Sequence, residues 1–285
     1  MTPEQRYLFD VTGYIHLPNA LSAEELKNAQ QAIERLVHTP DEEMPPGCTK
    51  GPDAGSCSNG FSFDKSLEAL TMHPASWPII KELTRGRPRL NRGSLVINRY
   101  REDATIGHLH CAREDCGWQT RRYEVHDGHI FCNDFIVFVY FTDVFPGDGG
   151  IVVLPGSHKA EFERPGYHNH QHPDSRDQLF FFDPNDRDPE LHPALANITP
   201  RAGDMLIMSE LLTHGVLIWK PKDRDRRFLI LRYKPQDWRD DRGNINPFPQ
   251  EVLDRLSPET RELTEPAFYT HVKEIAKMDD ITLTV

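Results

Sequence analysis

The sequence predicts a mainly β protein with flanking helices, and three observations support this fold class. Segments rich in β-branched and aromatic residues, typical of strands, recur at 94–100, 131–142, 150–154, 205–208 and 228–233. Runs of Pro, Gly, Asp and Ser separate several of them, most clearly at 146–150 and 155–157. Helical periodicity is found towards the two ends of the chain. This spacing favours a β-sandwich or barrel over alternating βαβ units.

The predicted helices lie on either side of the strand-rich region. Ser22 and Glu25 have the spacing of a capping box, and a helical stripe follows it at Leu26, Ala29, Ala32, Ile33 and Leu36. A second helix is predicted near residues 74–84, and Ser257 is typical of a helix start. Residues 38–65 are rich in Pro, Gly, Cys and Ser, so we expect a long loop able to cover a site.

Length and composition predict one folded domain over residues 1–285. We divide it into N-terminal helices (1–88), a β core (89–236) and a C-terminal helical extension (237–285). The 38% hydrophobic content is that of a globular protein, and no apolar run is long enough to cross a bilayer. We therefore expect no membrane partner. The oligomeric state cannot be predicted.

Charge and cysteine content narrow the location and the partners. The net charge of −11 argues against nucleic-acid binding, although a local basic pocket for an anionic substrate is compatible with it. Five cysteines are an odd number for a disulfide framework, which favours free thiols in a reducing cytoplasm. The first residues do not have the pattern of a secretory signal. The expected location is therefore cytoplasmic.

Two histidines and an arginine provide the main chemical signal. His110 and His214 lie about a hundred residues apart on strand-like stretches, and Arg226 opens the run that follows the second. Two imidazoles can hold an iron(II) ion with open coordination positions, and a nearby guanidinium can bind the carboxylate of an acid on that metal. Strand alternation would place His108, His110 and Ala112 on one face. A two-histidine, one-carboxylate site commonly has an acid where Ala112 stands.

Several motifs, in order and spacing, resemble the phytanoyl-CoA dioxygenase family of non-haem iron, 2-oxoglutarate-dependent oxygenases. The resemblance extends from about Phe9 to Pro235. Its most specific motif is Val-Leu-Pro-Gly-Ser-His-Lys at 153–159. The other matching motifs are Phe-Asp-Val-Thr-Gly-Tyr-Ile at 9–15, Thr-Asp-Val at 142–144 leading to Gly-Gly at 149–150, Gly-Asp-Met-Leu-Ile at 203–207, Thr-His-Gly at 213–215, and Arg-Arg at 226–227 leading to Arg-Tyr at 232–233.

The resemblance implies a double-stranded β-helix (jelly-roll, cupin-like) core with helices outside it. It also implies that His110 and His214 bind Fe(II) and that Arg226 binds the distal carboxylate of 2-oxoglutarate. The residues alone leave Arg226 and Arg227 nearly equal, because an extended segment points them to opposite faces. Asn98 and Tyr100 are further candidates for contact with the cosubstrate. O2 would be the second cosubstrate.

The alanine at position 112 leaves the third iron ligand open. Asp115 or Glu114 could supply a carboxylate from a following loop, or His108 could complete a three-histidine site. A halide could instead occupy the position, as in related halogenases with Ala or Gly there. A misplaced alignment or a catalytically inactive site would also explain the alanine.

The predicted function is therefore an Fe(II)- and 2-oxoglutarate-dependent oxygenase that performs hydroxylation or a related C–H oxidation. The expected substrate is a small, polar natural product or amino-acid-like molecule, with Arg121, Arg122 and His168 as candidate substrate-binding residues. The alternatives are a halogenase, a non-catalytic binding protein on a degenerate oxygenase scaffold, and a zinc-binding structural protein that uses the His and Cys residues between 108 and 116.

Overall fold

The computed structural model describes residues 1–52, 55–113, 122–162, 164, 181–183, 186–238, 246–279 and 281. Its helices are α1 (Pro3–Thr12), α2 (Ala23–His38), α3 (Lys65–Glu68), α4 (Trp77–Leu83), α5 (Gln250–Leu253), α6 (Pro258–Thr264) and α7 (Glu274–Lys277). Its strands are β1 (Tyr14–Leu17), β2 (Thr49–Lys50), β3 (Ser56–Ser58), β4 (Pro88–Asn98), β5 (Gly107–His110), β6 (Tyr123–His126), β7 (His129–Cys132), β8 (Phe135–Tyr140), β9 (Gly150–Val153), β10 (Ala196–Asn197), β11 (Met205–Ser209), β12 (His214–Leu217) and β13 (Arg226–Pro235). None of the helices in these ranges is long and apolar enough to cross a membrane.

Two sheets form the body of the fold. The larger has seven strands in the order β1-β11-β8-β13-β4-β3-β2, and the smaller has four in the order β10-β9-β12-β5. A hydrophobic cluster joins them, with Tyr140 and Phe228 of the larger sheet packed together with Ile151 and Val153 of the smaller one. Burial of each such side chain contributes about 1.5–3 kcal/mol to folding. The two sheets therefore enclose an interior lined by alternate residues of each strand.

The outer face of the larger sheet is covered by helices. Helix α2 begins at the predicted capping box, in which Ser22 and Glu25 bond to each other's backbone N–H groups. Its apolar stripe, which includes Ala32 and Ile33, belongs to the same buried cluster as Leu229 of β13. The amphipathic pattern of the sequence thus fixes which side of the sheet faces the helices.

The N-terminal part of the chain is integrated into the core. Strand β1 pairs with β11, and β2 and β3 extend the larger sheet beyond β4. The prediction of one continuous loop over residues 38–65 was wrong in this respect. The two strands are short and largely polar, so the hydrophobic alternation that marks a strand in sequence is missing there.

Candidate metal centre and cosubstrate cavity

His110 and His214 face each other across two neighbouring strands. His110 is the last residue of β5, His214 is the first of β12, and the two are direct partners in the antiparallel pairing. Their ring centroids lie 4.3 Å apart, with 52° between the ring planes. Two imidazoles bound at right angles to one ion, with metal–nitrogen bonds of about 2.1 Å, would have ring centres about 4.5 Å apart. The pair therefore has the spacing of two ligands to a single metal ion.

A backbone carbonyl orients the second histidine. His214 is buried, and its Nδ1 lies 2.7 Å from the carbonyl oxygen of Leu212. Because a carbonyl can only accept a hydrogen bond, Nδ1 carries the proton and donates it. The Nε2 lone pair is then available to a metal, in the arrangement usual for ligating histidines.

The structure corrects the expectation that Ala112 continues the strand face of His110. Strand β5 ends at His110, and Ala112 opens a helical turn in which its N–H donates to the carbonyl oxygen of Glu210 at 2.7 Å. Strand alternation therefore does not extend to position 112. Ala112 itself is buried.

A third protein ligand is not visible in the described part of the chain. There, no group of three His, Cys, Asp or Glu side chains is arranged to hold a metal ion. Glu114 and Asp115 lie outside the described residues. His108 has its backbone on β5, but its side chain also lies outside the described structure.

Arg226 is a buried cation whose guanidinium is only partly hydrogen bonded. It is the first residue of β13, is 2% exposed, and donates from Nη2 to Oδ1 of Asn98 at 3.2 Å. Its guanidinium carbon lies 4.8 Å from the ring centre of Phe228. Among the described residues, Nε and Nη1 have no hydrogen-bond partner. Burial lowers the pKa of Arg226, and a charge buried in this way normally pairs with an anion.

Gly150 leaves room for this guanidinium. It is the first residue of β9, with φ at +89°, and a β-carbon built at this position would lie 2.7 Å from Nη1 of Arg226. The positive φ favours glycine here, and a β-carbon would in addition displace the guanidinium. The sequence shows Gly150 only as part of a turn, since its contact with Arg226 depends on the fold.

Arg226 opens into a cavity of about 790 Å³ between the two sheets. Val216 of β12 and Gly107 of β5 line it on one side and Phe228 of β13 on the other, together with Asn98 and Tyr100. The strands that carry the two histidines therefore also form its wall. Asn98 is the last residue of β4, and Tyr100 lies two residues beyond the strand. This volume is in the range of small-molecule sites.

A separate cleft of about 620 Å³ lies between α4 and the β6–β7 hairpin. Two of its charged groups are already paired, Lys81 with Asp279 and Glu82 with Arg6. We therefore assign ligand binding to the cavity beside Arg226, whose Nε and Nη1 have no hydrogen-bond partner among the residues that the structure describes.

The other predicted arginines lie elsewhere. Arg227 points to the opposite face of β13, where it pairs with Glu34 at 2.6 Å and Asp225 at 3.3 Å. Arg122 is largely exposed just before the β6–β7 hairpin, 3.8 Å from Glu124, and is not part of the cavity wall. The candidates Arg121 and His168 lie outside the described residues.

Comparison with known proteins finds a partial likeness in sequence and a broader likeness in structure. No protein-family model matches the chain. Ectoine dioxygenase of Stutzerimonas stutzeri (strain A1501) is 25% identical over 154 residues, which are 53% of this chain and 48% of that protein. The alignment thus spans about half the length of this relative.

Solved structures with a similar fold cover most of the chain. Iron-bound HygX from Streptomyces hygroscopicus superposes with a TM-score of 0.61 at 21% identity, over 82% of this chain and 87% of that one. EctD from S. alaskensis gives a TM-score of 0.61 at 17% identity, over 85% and 80%. SnoK, a non-haem α-ketoglutarate-dependent carbocyclase from nogalamycin biosynthesis, gives 0.59 at 18% identity, over 94% of both chains. These likenesses show the fold. The predicted jelly-roll core with outer helices is confirmed.

Proposed function

We propose that this protein is an Fe(II)- and 2-oxoglutarate-dependent dioxygenase that oxidises a small molecule. One observation carries the proposal: a facing histidine pair and a buried, incompletely bonded arginine lie on the strands that enclose one cavity. The partial sequence likeness to ectoine dioxygenase supports it, as does the fold shared with structures that hold iron, or nickel and 2-oxoglutarate.

The residues present fit these groups. His110 and His214 would hold the metal, with the Leu212 carbonyl fixing the tautomer of His214. Arg226 would bind the distal carboxylate of 2-oxoglutarate through Nε and Nη1, which have no other partner in the described structure. Asn98 would keep the guanidinium in place through its bond to Nη2. When bound, iron(II) with 2-oxoglutarate and O2 supplies the oxidising power for C–H oxidation, and 2-oxoglutarate leaves as succinate and carbon dioxide.

The remaining cavity wall would position the substrate and limit the access of water. Phe228, Trp219 and Ile230 supply apolar surface around the arginine. Such surface strengthens the charge interactions of the arginine with a bound carboxylate. We propose a small polar or amino-acid-like substrate. HygX, which has a similar fold, has been crystallised with hygromycin B, and this supports a small-molecule substrate.

Anaerobic addition of Fe(II) and 2-oxoglutarate to the purified protein tests the function. We expect a visible metal-to-ligand charge-transfer band, and succinate formation once O2 is admitted. His110→Ala and His214→Ala should each lose both signals while keeping the circular dichroism spectrum of the fold. Arg227→Met is the matched control, because its side chain lies on the outer face of β13. A protein that gave neither band nor succinate would be a binding protein, and tightly held zinc would favour a structural metal site.

Halogenation is the second candidate, because the sequence has alanine at position 112, where the oxygenases that it resembles commonly have a carboxylate. Mass spectrometry of the product formed in chloride and in bromide distinguishes the two reactions. A halogenated product changes mass with the halide, whereas a hydroxylated product does not. For the third ligand we propose Asp115 or His108, and loss of iron binding in only one of Asp115→Ala and His108→Ala would identify it.

A further inference from the structure

The inner face of the larger sheet continues beyond the cavity to a pair of arginines, Arg92 and Arg232. Side chains alternate along β13, so Arg232 lies on the same face as Arg226 and Phe228, which line the cavity. On β4 the same alternation carries the inner face from Asn98 to Arg92. In the pairing of these strands, Arg92 and Arg232 are direct partners. Two cationic side chains therefore stand opposite each other on the inner face.

Like charges directly opposite each other on neighbouring strands are destabilising. One carboxylate partly offsets the repulsion, since Oε1 of Glu210 lies 2.7 Å from Nη1 of Arg232. Arg92 is exposed and forms no ion pair with any residue that the structure describes. A second cation and carboxylate next to them, Lys234 and Asp134, lie 3.7 Å apart and are both buried. Among the residues that the structure describes, this group thus comprises three cations (Arg92, Arg232 and Lys234) and two carboxylates (Glu210 and Asp134).

Strand pairing places the histidines between the two ends of this face. The guanidinium of Arg226 lies beside Gly150, and Gly150 pairs with Leu217 of β12. His214 lies three residues before Leu217, about 10 Å along the same strand. Arg232 lies six residues from Arg226, about 20 Å along β13. His110, the strand partner of His214, lies two residues before Ala112, whose N–H donates to the carbonyl oxygen of Glu210, and the carboxylate of Glu210 pairs with Arg232. The histidines therefore lie between Arg226 and Arg232.

We propose that Arg92 and Arg232 bind a carboxylate of the substrate, on the side of the metal opposite Arg226. This proposal rests on the proposed function, because it takes the molecule held here to be the one that is oxidised. A carboxylate can accept parallel hydrogen bonds from a guanidinium, and it would also remove the repulsion between the two arginines. About 10 Å of extended chain corresponds to about three residues. The substrate class is thus a carboxylic acid of amino-acid to small-peptide size.

Hexanoate and hexanamide are suitable probes, because they have the same carbon chain and differ in charge. Their binding to the full-length protein is followed by saturation-transfer NMR with 2-oxoglutarate in excess, so that Arg226 is occupied. We expect hexanoate to bind at least about tenfold more tightly than hexanamide, which corresponds to one 1.4 kcal/mol step in binding free energy. Equal binding of the two probes, or no binding of hexanoate, would overturn the proposal.

Variants assign the effect to these arginines. Arg92→Gln should weaken hexanoate binding about tenfold and leave hexanamide unchanged. Arg232→Lys keeps a cation beside Glu210 but loses the planar fork, and should give a smaller loss. Arg261→Gln, an exposed arginine on α6, is the matched control and should change neither. Unchanged hexanoate binding in Arg92→Gln would exclude Arg92 from the site.

Two further measurements separate this proposal from its alternatives. Arg226→Met removes the first anion site. If hexanoate still binds to this variant, and binds more weakly when Arg92→Gln is added, the second site is supported. This outcome does not depend on the charge-transfer band that tests the proposed function. Arg92→Gln should also leave the midpoint of thermal unfolding unchanged or raise it, because it relieves the repulsion with Arg232. A clear fall in that midpoint would indicate a structural role for Arg92 and contradict the proposal.

Discussion

Replacing Arg226 with methionine should stabilise the ligand-free protein and abolish its response to 2-oxoglutarate. The guanidinium is almost fully buried, and burial already lowers its pKa. In the absence of an anion, its bond to Asn98 and its contact with the Phe228 ring are the described interactions that offset its desolvation. Methionine fills similar space without a charge. The stability of the ligand-free protein should rise while its stabilisation by 2-oxoglutarate is lost. This combination is expected only for a residue in a ligand site.

The magnitude follows from the contacts. Desolvation of a buried ion costs several kcal/mol, whereas one charged hydrogen bond contributes about 1.5–3 kcal/mol and a cation–π contact about 0.5–2 kcal/mol. The net stabilisation in Arg226→Met should therefore be about 1–3 kcal/mol, or a rise of about 2–6 °C in melting temperature. Loss of two charged hydrogen bonds to 2-oxoglutarate would weaken its binding by about 3–6 kcal/mol, or about 10²- to 10⁴-fold.

Differential scanning calorimetry with and without 2-oxoglutarate, in the presence of Ni²⁺, measures both changes. At a hundred times its Kd, 2-oxoglutarate should stabilise the unmodified protein by about 2.7 kcal/mol, and at the same concentration it should stabilise Arg226→Met by at most about 0.4 kcal/mol. Arg227→Met should keep the full ligand response and lose at most about 1 kcal/mol, because its ion pairs are near the surface. An Arg226→Met protein that is less stable and still responds fully to 2-oxoglutarate would refute the reasoning.

Two further changes test the packing around the cavity and on the far side of the fold. Gly150→Ala should lower the free energy of unfolding by about 1–2 kcal/mol because of the positive φ at this position, and should weaken 2-oxoglutarate binding by displacing the Arg226 guanidinium. Titration calorimetry of 2-oxoglutarate binding checks the second effect. Unchanged affinity would mean that the guanidinium can shift freely. Burial, with the Lys159 charge beside it, lowers the pKa of His158 to about 4. The unfolded chain therefore binds the proton first, so the free energy of unfolding should fall by about 3 kcal/mol through this group as pH drops from about 6.5 to about 4. Urea titrations of the protein and of His158→Leu should diverge over that interval, and parallel curves would exclude His158 as the source.

The sequence predicts the main elements of the fold where hydrophobic periodicity is strong. The stripe of α2 and the core of β13 were both evident from the pattern of apolar residues. Strand β13 nevertheless begins at Arg226, two residues before the predicted start at 228, because its first residues are charged. Strands β2 and β3 could not be predicted for a related reason, since they are held in place by pairing with neighbours and not by an apolar face of their own.

The candidate site could be predicted as a set of residue types, but not as an arrangement. His110 and His214 were recognised from their motifs, whereas their direct pairing depends on the register of β5 against β12. Register is set by the packing of whole strands and cannot be read from one motif. The contact between Gly150 and Arg226 is non-local in the same way.

The arginines at the two ends of the inner face explain why unfavourable charges are found on it. Arg226 is buried without an anion among the described residues, and Arg92 stands opposite another cation. Both arrangements lower the stability of the ligand-free protein, and each is relieved by a carboxylate. A purely structural role would favour an apolar residue at the buried position 226 and would not place two cations opposite each other at 92 and 232. The two sites therefore give the inner face a direction, with 2-oxoglutarate expected at the Arg226 end and an acidic substrate at the Arg92 end. Each ligand should then raise the melting temperature independently of the other.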